Sequence, residues 1–152
     1  MRRIYFIYII LIHISIATSQ RVVGYYPQWV QGSFTPDKID YSVITHVIHS
    51  FAWPDEEGNV LHYDNMLSQA VNNTVHDNGA KILLCFGGWG QSLGFSASTS
   101  TPLLREIFID NIISICETFD YDGVDIDWEQ PVNATEKNNL TTFIAELRQA
   151  FD

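Results

Sequence analysis

The fold of this chain is decided by the stretch Asp122-Gly123-Val124-Asp125-Ile126-Asp127-Trp128-Glu129-Gln130-Pro131. From position 124 to 129, apolar residues alternate with carboxylates, which is the period-2 pattern of a β-strand with acids on one face. Neighbouring acids on such a face lie about 6–7 Å apart. Their charges repel, so at least one should hold a proton near neutral pH. The pattern therefore indicates a site that donates a proton.

Hydrophobic periodicity predicts four strand–helix units around this stretch. The predicted strands are residues 21–26, 44–52, 81–86 and 123–128. The predicted helical segments are a single turn at 36–41, a helix at about 64–78 closed by Gly79, one that starts at Thr101-Pro102, and one from about Thr135. Residues 53–59 and the serine-rich stretch after Gly90 are predicted to be loops.

Repeated strand–helix units predict a parallel sheet, either open and doubly wound or closed into a (β/α)₈ barrel. The acids favour the barrel, because one face of a barrel strand looks into the interior and its C-terminal mouth carries the chemistry. Both faces of a doubly wound sheet are covered by helices, and burial of three acids there is costly.

The row D-x-x-D-x-D-x-E, with Gly123 after its first Asp and with Trp128 and Pro131 beside it, resembles the active-site strand of the glycoside hydrolase family 18 chitinases. Residues 81–89 resemble a second signature of that family, an apolar strand that ends in S-x-G-G and is followed by Trp. Here Cys85 replaces the Ser, and Gly87 and Gly88 are the two glycines. A buried strand with a glycine turn is the alternative, whereas a phosphate-binding loop would need a different glycine spacing.

The resemblance implies a retaining, substrate-assisted hydrolysis of β-1,4 bonds between N-acetylglucosamine units. Glu129 would be the general acid, Asp127 would orient the substrate's acetamido group, and Asp125 would share a proton with Asp127. Asp122 and Gly123 would be structural. The resemblance implies no cofactor, and the sequence shows no metal site.

Four aromatic residues are candidates for the sugar cleft, because flat rings suit the C–H faces of pyranose rings. By resemblance they are Tyr25, Trp29, Phe51 and Trp89. Taken one at a time, each is more often a core residue than a cleft residue, but their shared position at the C-terminal ends of strands favours the cleft. The family also leads us to expect non-proline cis peptide bonds at Ser50–Phe51 and Glu129–Gln130.

A complete barrel needs about 250 residues, and this chain has 152. We therefore expect residues 20–152 to be the N-terminal half of the catalytic domain, as a fragment or incomplete gene model rather than a natural short form. The alternatives to a chitinase are a chitin-binding lectin, an inactive truncated product, and an endo-β-N-acetylglucosaminidase. The retained Glu129 argues against the lectin.

Residues 1–19 have a charged start, a short apolar stretch and small residues at the exit, which indicate a secretory signal peptide rather than an uncleaved anchor. The signal contains two of the 8 basic residues, so the formal net charge of −10 becomes −12 after cleavage. Such a charge disfavours nucleic acid and anionic membranes. We expect a secreted, extracellular monomer whose partner is chitin or an N-acetylglucosamine oligosaccharide.

Asn72, Asn133 and Asn139 stand in sequons for N-glycosylation. Cys85 and Cys116 could form a disulfide, but both lie on apolar faces of separate elements, which favours buried free thiols. Two cysteines without matching histidine spacing make a poor zinc site. The histidines at positions 46, 49, 62 and 76 also lack ligand spacing, so core or surface roles are expected.

Overall fold

A computed structural model describes residues 20–152, and four parallel strands form its centre. The predicted signal peptide, residues 1–19, lies outside the described residues. The strands are β1 (Val23–Pro27), β2 (His46–Pro54), β3 (Val60–His62), β4 (Lys81–Gly87) and β5 (Gly123–Asp127). The helices are α1 (Gln69–Asp77), α2 (Leu93–Ser98), α3 (Pro102–Phe119) and α4 (Ala134–Phe151), and 3₁₀ turns lie at Gln28–Val30 and Pro36–Lys38.

The sheet has the strand order β1-β2-β4-β5, with every neighbouring pair parallel. Each of the four predicted strands is present, with ends shifted by no more than two residues. The order follows the chain from one strand to the next, as consecutive βα units in a barrel do. The carboxyl ends of β4 and β5 therefore meet at the same edge, where Gly87 pairs with Asp127.

One face of the sheet is covered by helices through a layer of aromatic rings. Phe86 of β4 packs against Phe108 of α3 with ring centroids 5.9 Å apart, and Phe108 stacks on Phe143 of α4 at 5.1 Å. Phe95 of α2 stacks on Trp128, just past β5, at 5.2 Å. All these rings are buried, and burial of each such side chain contributes about 1.5–3 kcal/mol. The apolar residues of the decisive stretch thus point into this layer.

Thr101 before α3 and Gly79 after α1 match the predicted helix signals, whereas α1 begins at Gln69 and not near residue 64, because Ser68 caps it. Ser68, Thr101 and Asn133 are the N-caps of α1, α3 and α4, and each side chain accepts a hydrogen bond from the backbone N–H three residues later. Such caps contribute about 1 kcal/mol each. Gly79 follows α1 with φ +76°, in the left-handed conformation that glycine adopts readily.

Two predictions about the loops were wrong. Residues 53–59 are not wholly a loop, because β2 continues to Pro54 and pairs with the antiparallel strand β3. The serine-rich stretch after Gly90 contains α2, which the buried Phe95 anchors in the core. Gly94 of α2 lies so close to β2 that an added Cβ would be 1.9 Å from the carbonyl oxygen of Pro54. Short helices held by one aromatic residue carry too little periodicity for recognition.

Gly87 allows β4 to end directly against β5. Its φ is +113°, and a Cβ at this position would be 2.2 Å from the carbonyl oxygen of Asp127. Gly90, three residues later, also has a positive φ of +81°, but nothing lies within 4 Å of its would-be Cβ. The two glycines therefore separate the cost of backbone conformation from the cost of a steric clash.

We expect Gly87→Ala to destabilise the chain much more than Gly90→Ala. Both substitutions should cost about 1–2 kcal/mol for the left-handed backbone, and Gly87→Ala should add about 1–3 kcal/mol for the clash with Asp127. Urea unfolding at fixed temperature measures both free energies of unfolding. Equal losses would contradict the close approach of the two strand ends.

Candidate active site

Asp125 lies on the open face of the sheet and is held by side chains from two other strands. The hydroxyl of Tyr25 on β1 donates to Asp125 Oδ2 at 2.9 Å, and the thiol of Cys85 on β4 donates to the same oxygen at 3.2 Å. Cys85 and Asp125 are direct neighbours in the strand register. The carboxylate of Asp125 is therefore fixed in orientation by hydrogen bonds that come from both β1 and β4.

Both donors keep their protons. Burial, the hydrogen bond to Asp125 and the charge of that carboxylate raise the pKa of Tyr25 well above its ordinary value. The same causes, with burial again the largest, raise the pKa of the Cys85 thiol. Sequence reasoning identified Cys85 only as a small residue in place of Ser and missed its role as a hydrogen-bond donor. The signal was its position one strand away from the acids, at the register of Asp125.

Asp127 is the last residue of β5 and is half-buried. Burial, followed by the negative charge of Asp125, raises the pKa of Asp127 above its ordinary value. Its backbone carbonyl accepts hydrogen bonds from the Gly88 N–H at 2.9 Å and from the Ser92 hydroxyl at 3.3 Å. The Asp127 backbone is thus fixed, while its carboxyl group favours the protonated form more than a surface Asp does.

Glu129 lies beyond the end of β5 and is exposed. Among the residues that the structure describes, no side chain forms a hydrogen bond with its carboxylate. Glu129 lines a cavity of about 420 Å³ at the carboxyl end of the sheet. The other lining residues are Trp89, Gly90, Ser92, Leu93, Ser96, Trp128, Gln130, Val132 and Glu136. A group that must meet a substrate and transfer a proton needs this accessibility.

The candidate aromatic residues form two sets. Phe51 contacts Trp29 with ring centroids 6.1 Å apart and an interplanar angle of 26°, and it contacts Tyr25 at 6.4 Å. Trp89 is 83% exposed and lines the cavity beside Glu129. One set therefore lies at the β1–β2 side of the carboxylates and the other at the β4–β5 side.

Gly88 makes room for the first set. A Cβ on Gly88 would be 2.9 Å from two atoms of the Phe51 ring. The Ser50–Phe51 peptide bond is cis, as predicted, whereas the expected cis bond at Glu129–Gln130 is absent from the described residues. That second prediction, which came from the family resemblance alone, was wrong.

Asp122 lies at the opposite end of β5 from Glu129. Its carboxylate accepts hydrogen bonds from Lys81 Nζ, from His76 Nε2 at 2.8 Å and from the Ile82 N–H at 2.8 Å. Burial opposes ionisation, but these hydrogen bonds together lower the pKa of Asp122. Gly123 is the first residue of β5, paired with Leu83. These two residues hold β4 and β5 in register, away from the other acids.

Asn72 is buried in the folded chain, which disfavours a glycan there, and its glycosylation stays a prediction. The side chain is fully buried, and its Nδ2, the atom to which a glycan would attach, donates to the Phe119 carbonyl at 2.7 Å. The α1 face on which Asn72 lies packs against the core. Asn133 is exposed at the start of α4, and Asn139 is half-buried within that helix.

Cys85 and Cys116 are both free and buried, as the sequence favoured. Within residues 20–152, no three His, Cys, Asp or Glu side chains are grouped so as to hold a metal ion. In the same range, no helix is long and apolar enough to cross a membrane.

Comparison with known proteins finds a family and its solved members. The family model described as glycosyl hydrolases family 18 matches residues 21–152. A protein named probable endochitinase from Caenorhabditis elegans is 32% identical over 83% of this chain. The Group IV chitinase of Ostrinia furnacalis in complex with allosamidin matches 88% of this chain with a TM-score of 0.78 and 28% identity. A Cycas revoluta chitinase mutant with (GlcNAc)₄ matches 84% with a TM-score of 0.74 and 26% identity.

The chain spans less than half the length of these proteins. It covers 23% of the C. elegans protein, 41% of the Ostrinia chain and 40% of the Cycas chain. The structural likeness confirms the predicted (β/α)₈ barrel class, of which β1, β2, β4 and β5 with their helices form a consecutive part.

We expect Asp125→Asn to lower the pKa of Asp127. The substitution removes the neighbouring negative charge, so Asp127 should stay ionised to lower pH, although its burial remains. Carbon NMR titration of the side-chain carboxyl of Asp127 measures the shift. Asp110→Asn, at an exposed position on α3, is the matched control and should leave the titration of Asp127 unchanged. An unchanged Asp127 titration in Asp125→Asn would show that the two carboxylates are not coupled.

Proposed function

Because this chain belongs to the glycosyl hydrolases family 18, we propose that it hydrolyses the β-1,4 bonds between N-acetylglucosamine units in chitin or chito-oligosaccharides. The observation that carries the proposal is the different environment of each of the motif's three acids: Asp125 is hydrogen-bonded by Tyr25, Asp127 is half-buried beside that charge, and Glu129 is exposed beyond the strand end. The names of two relatives, a probable endochitinase and a chitinase with (GlcNAc)₄, support this substrate class.

In this proposal Glu129 is the general acid that protonates the leaving glycosidic oxygen. Three observations support the role: the carboxyl group is exposed, it lines a cavity large enough for a sugar, and within residues 20–152 no side chain forms a hydrogen bond with it that a substrate would have to displace. Cavities of about 300–1,000 Å³ are typical of small-molecule sites. Positioned general acids of this kind accelerate reactions by about 10²–10⁴-fold.

Asp127 orients the substrate's own N-acetyl group, whose carbonyl oxygen attacks the anomeric carbon in a retaining, substrate-assisted reaction. A carboxylate near the acetamido N–H accepts its hydrogen bond and stabilises the positive charge that develops on the ring of the intermediate. The raised pKa of Asp127 supports this role, because the group can gain or lose a proton at a modest cost in free energy.

Asp125 acts as the hydrogen-bonded, half-buried partner of Asp127. The donors Tyr25 and Cys85 fix one oxygen of Asp125, and its charge is one of the two causes that raise the pKa of Asp127. When Asp127 takes up a proton, the two carboxyl groups can share it as a coupled pair. Asp125 therefore acts on the reaction through the pKa of Asp127 and does not itself transfer a proton to the leaving group.

The two aromatic sets extend the site on either side of the acids. Trp29 and Phe51, with Tyr25 beneath, offer ring faces on the β1–β2 side. Trp89 offers another beside Glu129. Aromatic rings bind sugars with little loss of side-chain entropy, so a chain of sugar units that passes over Asp127 could contact both sets.

We expect Glu129→Gln to lower kcat by about 10²–10⁴-fold, because the amide N–H is far too weak an acid to protonate the leaving group. The assay is release of chromophore from a chromogenic chitobioside by the protein expressed from its complete reading frame. Binding of (GlcNAc)₄, measured by calorimetry, should be kept because the amide retains the shape of the carboxyl group.

Glu106→Gln is the matched control for this experiment. Glu106 is an exposed Glu on α3, and the same loss of one charge there should leave kcat unchanged. A Glu129→Gln protein with a near-normal rate would refute the role of the general acid. A wild-type protein that binds (GlcNAc)₄ and never cleaves it would favour a sugar-binding protein instead of a hydrolase.

We also propose that the protein acts outside the cell, on the basis of the signal-peptide pattern of residues 1–19. Expression in a eukaryotic secretory host should release it into the medium with Gln20 as its first residue, and N-terminal sequencing measures this. Retention of residues 1–19 in a membrane-bound product would mean that the segment is an anchor.

A further inference from the structure

A buried histidine outside the catalytic acids connects three parts of the fold. His49 of β2 is fully buried. Its Nδ1 lies 2.7 Å from the hydroxyl of Tyr121, which precedes β5, and its Nε2 forms a hydrogen bond with the side-chain amide of Gln31, which follows β1. The imidazole also lies between the rings of Tyr26 and Tyr121, with centroids 5.9 and 6.0 Å away.

Both nitrogens of a neutral imidazole are satisfied by this arrangement. A neutral ring offers one N–H and one lone pair, and a hydroxyl and an amide can each donate or accept. The titratable groups that face the ring are Tyr26 of β1 and Tyr121, with Cys116 of α3 behind Tyr121. No carboxylate among the described residues contacts it. Burial without a counter-charge lowers the pKa of His49 to about 4, which keeps this link uncharged near neutral pH.

Gln31 belongs to the turn that carries Trp29. Gln28–Val30 forms a 3₁₀ turn, and the Gln31 N–H closes it by donating to the Gln28 carbonyl at 3.2 Å. Trp29 is 63% exposed and rests on Phe51. Phe51 lies two residues after His49 on the same strand, so β2 contacts this turn at two points. One contact is the exposed ring stack, and the other is the buried hydrogen bond.

We propose that His49 is a positioning residue, which holds the Gln28–Gln31 turn through Gln31 and thereby keeps Trp29 stacked on Phe51 at the edge of the sugar cleft. The part of this inference that concerns sugar binding rests on the proposed function. The position of the turn does not, because it can be measured without any substrate.

The hydrogen-bonded chain Tyr121–His49–Gln31 has one end fixed in the core and one end near the surface. Tyr121 is buried in the core between α1, α3 and the sheet, and its burial raises the pKa of its hydroxyl, which stays protonated. The other end, Gln31, is only half-buried. His49 therefore connects the rigid core to a surface turn. Besides the packing of Val30 on the core and the Trp29–Phe51 stack, the side chains of the described turn form one other hydrogen bond, the 3.3 Å bond from Gln28 to the Asp64 carbonyl.

The test cuts the link at both ends. His49→Phe keeps a ring of similar size and removes both hydrogen bonds, whereas Gln31→Met leaves His49 in place. We expect amide hydrogen exchange of residues 28–31 to accelerate at least tenfold in either variant, and no further in the double variant, while β4 and β5 keep their protection.

The Trp29 indole N–H signal, assigned by its loss in Trp29→Phe, should shift in both variants. His62→Phe changes an exposed histidine on β3 and should change neither readout.

Sugar binding provides the second readout. In the protein expressed from its complete reading frame, both variants should raise KM for (GlcNAc)₄ severalfold and leave kcat within twofold, because the acids do not contact the turn. The carbon NMR signal of the His49 ring should titrate with a midpoint near pH 4 in the wild type.

Three results would overturn the proposal: unchanged exchange of the turn in Gln31→Met, a faster exchange that extends equally to β4 and β5, or a His49 midpoint near its ordinary value. Gln31→Met keeps the test decisive if His49→Phe fails to fold. Loosening of the turn in a protein that never binds (GlcNAc)₄ would support the positioning role and refute the proposed function.

Discussion

The alternation of side chains along β5 is the constraint on which the rest of the site depends. Trp128 stacks on Phe95 in the helix layer, and Ile126 packs against the same core, so Asp125 and Asp127, which alternate with them, face the open side of the sheet. A slip of one residue would turn every side chain to the other face and bury the carboxylates among aromatic rings. Burial of the apolar side chains of β5 therefore determines that its acids lie on the opposite, open face. Gly87 allows the end of β4 to pack directly against the end of β5.

Three acids of one motif become chemically different because the surroundings change along β5 and beyond its end. Asp125 is bound by Tyr25 and Cys85 from two other strands, Asp127 is partly desolvated beside that charge, and Glu129 reaches open space. Within five residues, the acids change from a carboxylate held by two hydrogen bonds to one that is exposed. Just before the start of the same strand, Asp122 forms ion pairs with Lys81 and His76. One end of β5 therefore stabilises the sheet, and the other carries the candidate catalytic acids.

The sequence predicted the four central strands and the long helices, because their periodicity and caps are local signals. It missed β3 and α2, which exist through contacts with β2 that only the folded chain brings together: Val60 pairs with Pro54, and Gly94 lies against the Pro54 carbonyl. Within the site, the acids were visible in the motif. The bond from Cys85 to Asp125 depends on strand register, and the burial of Asn72 depends on which face of α1 meets the core. Neither can be read from one segment alone.

The thiol of Cys85 has a consequence for redox chemistry. Alkylation, oxidation and disulfide exchange all proceed through the thiolate, and burial beside Asp125 strongly disfavours that form. Cys116 is likewise buried, and burial raises its pKa to about 12. Burial therefore makes both unpaired cysteines resistant to oxidation and disulfide exchange in the folded chain, and it protects the hydrogen bond that fixes Asp125.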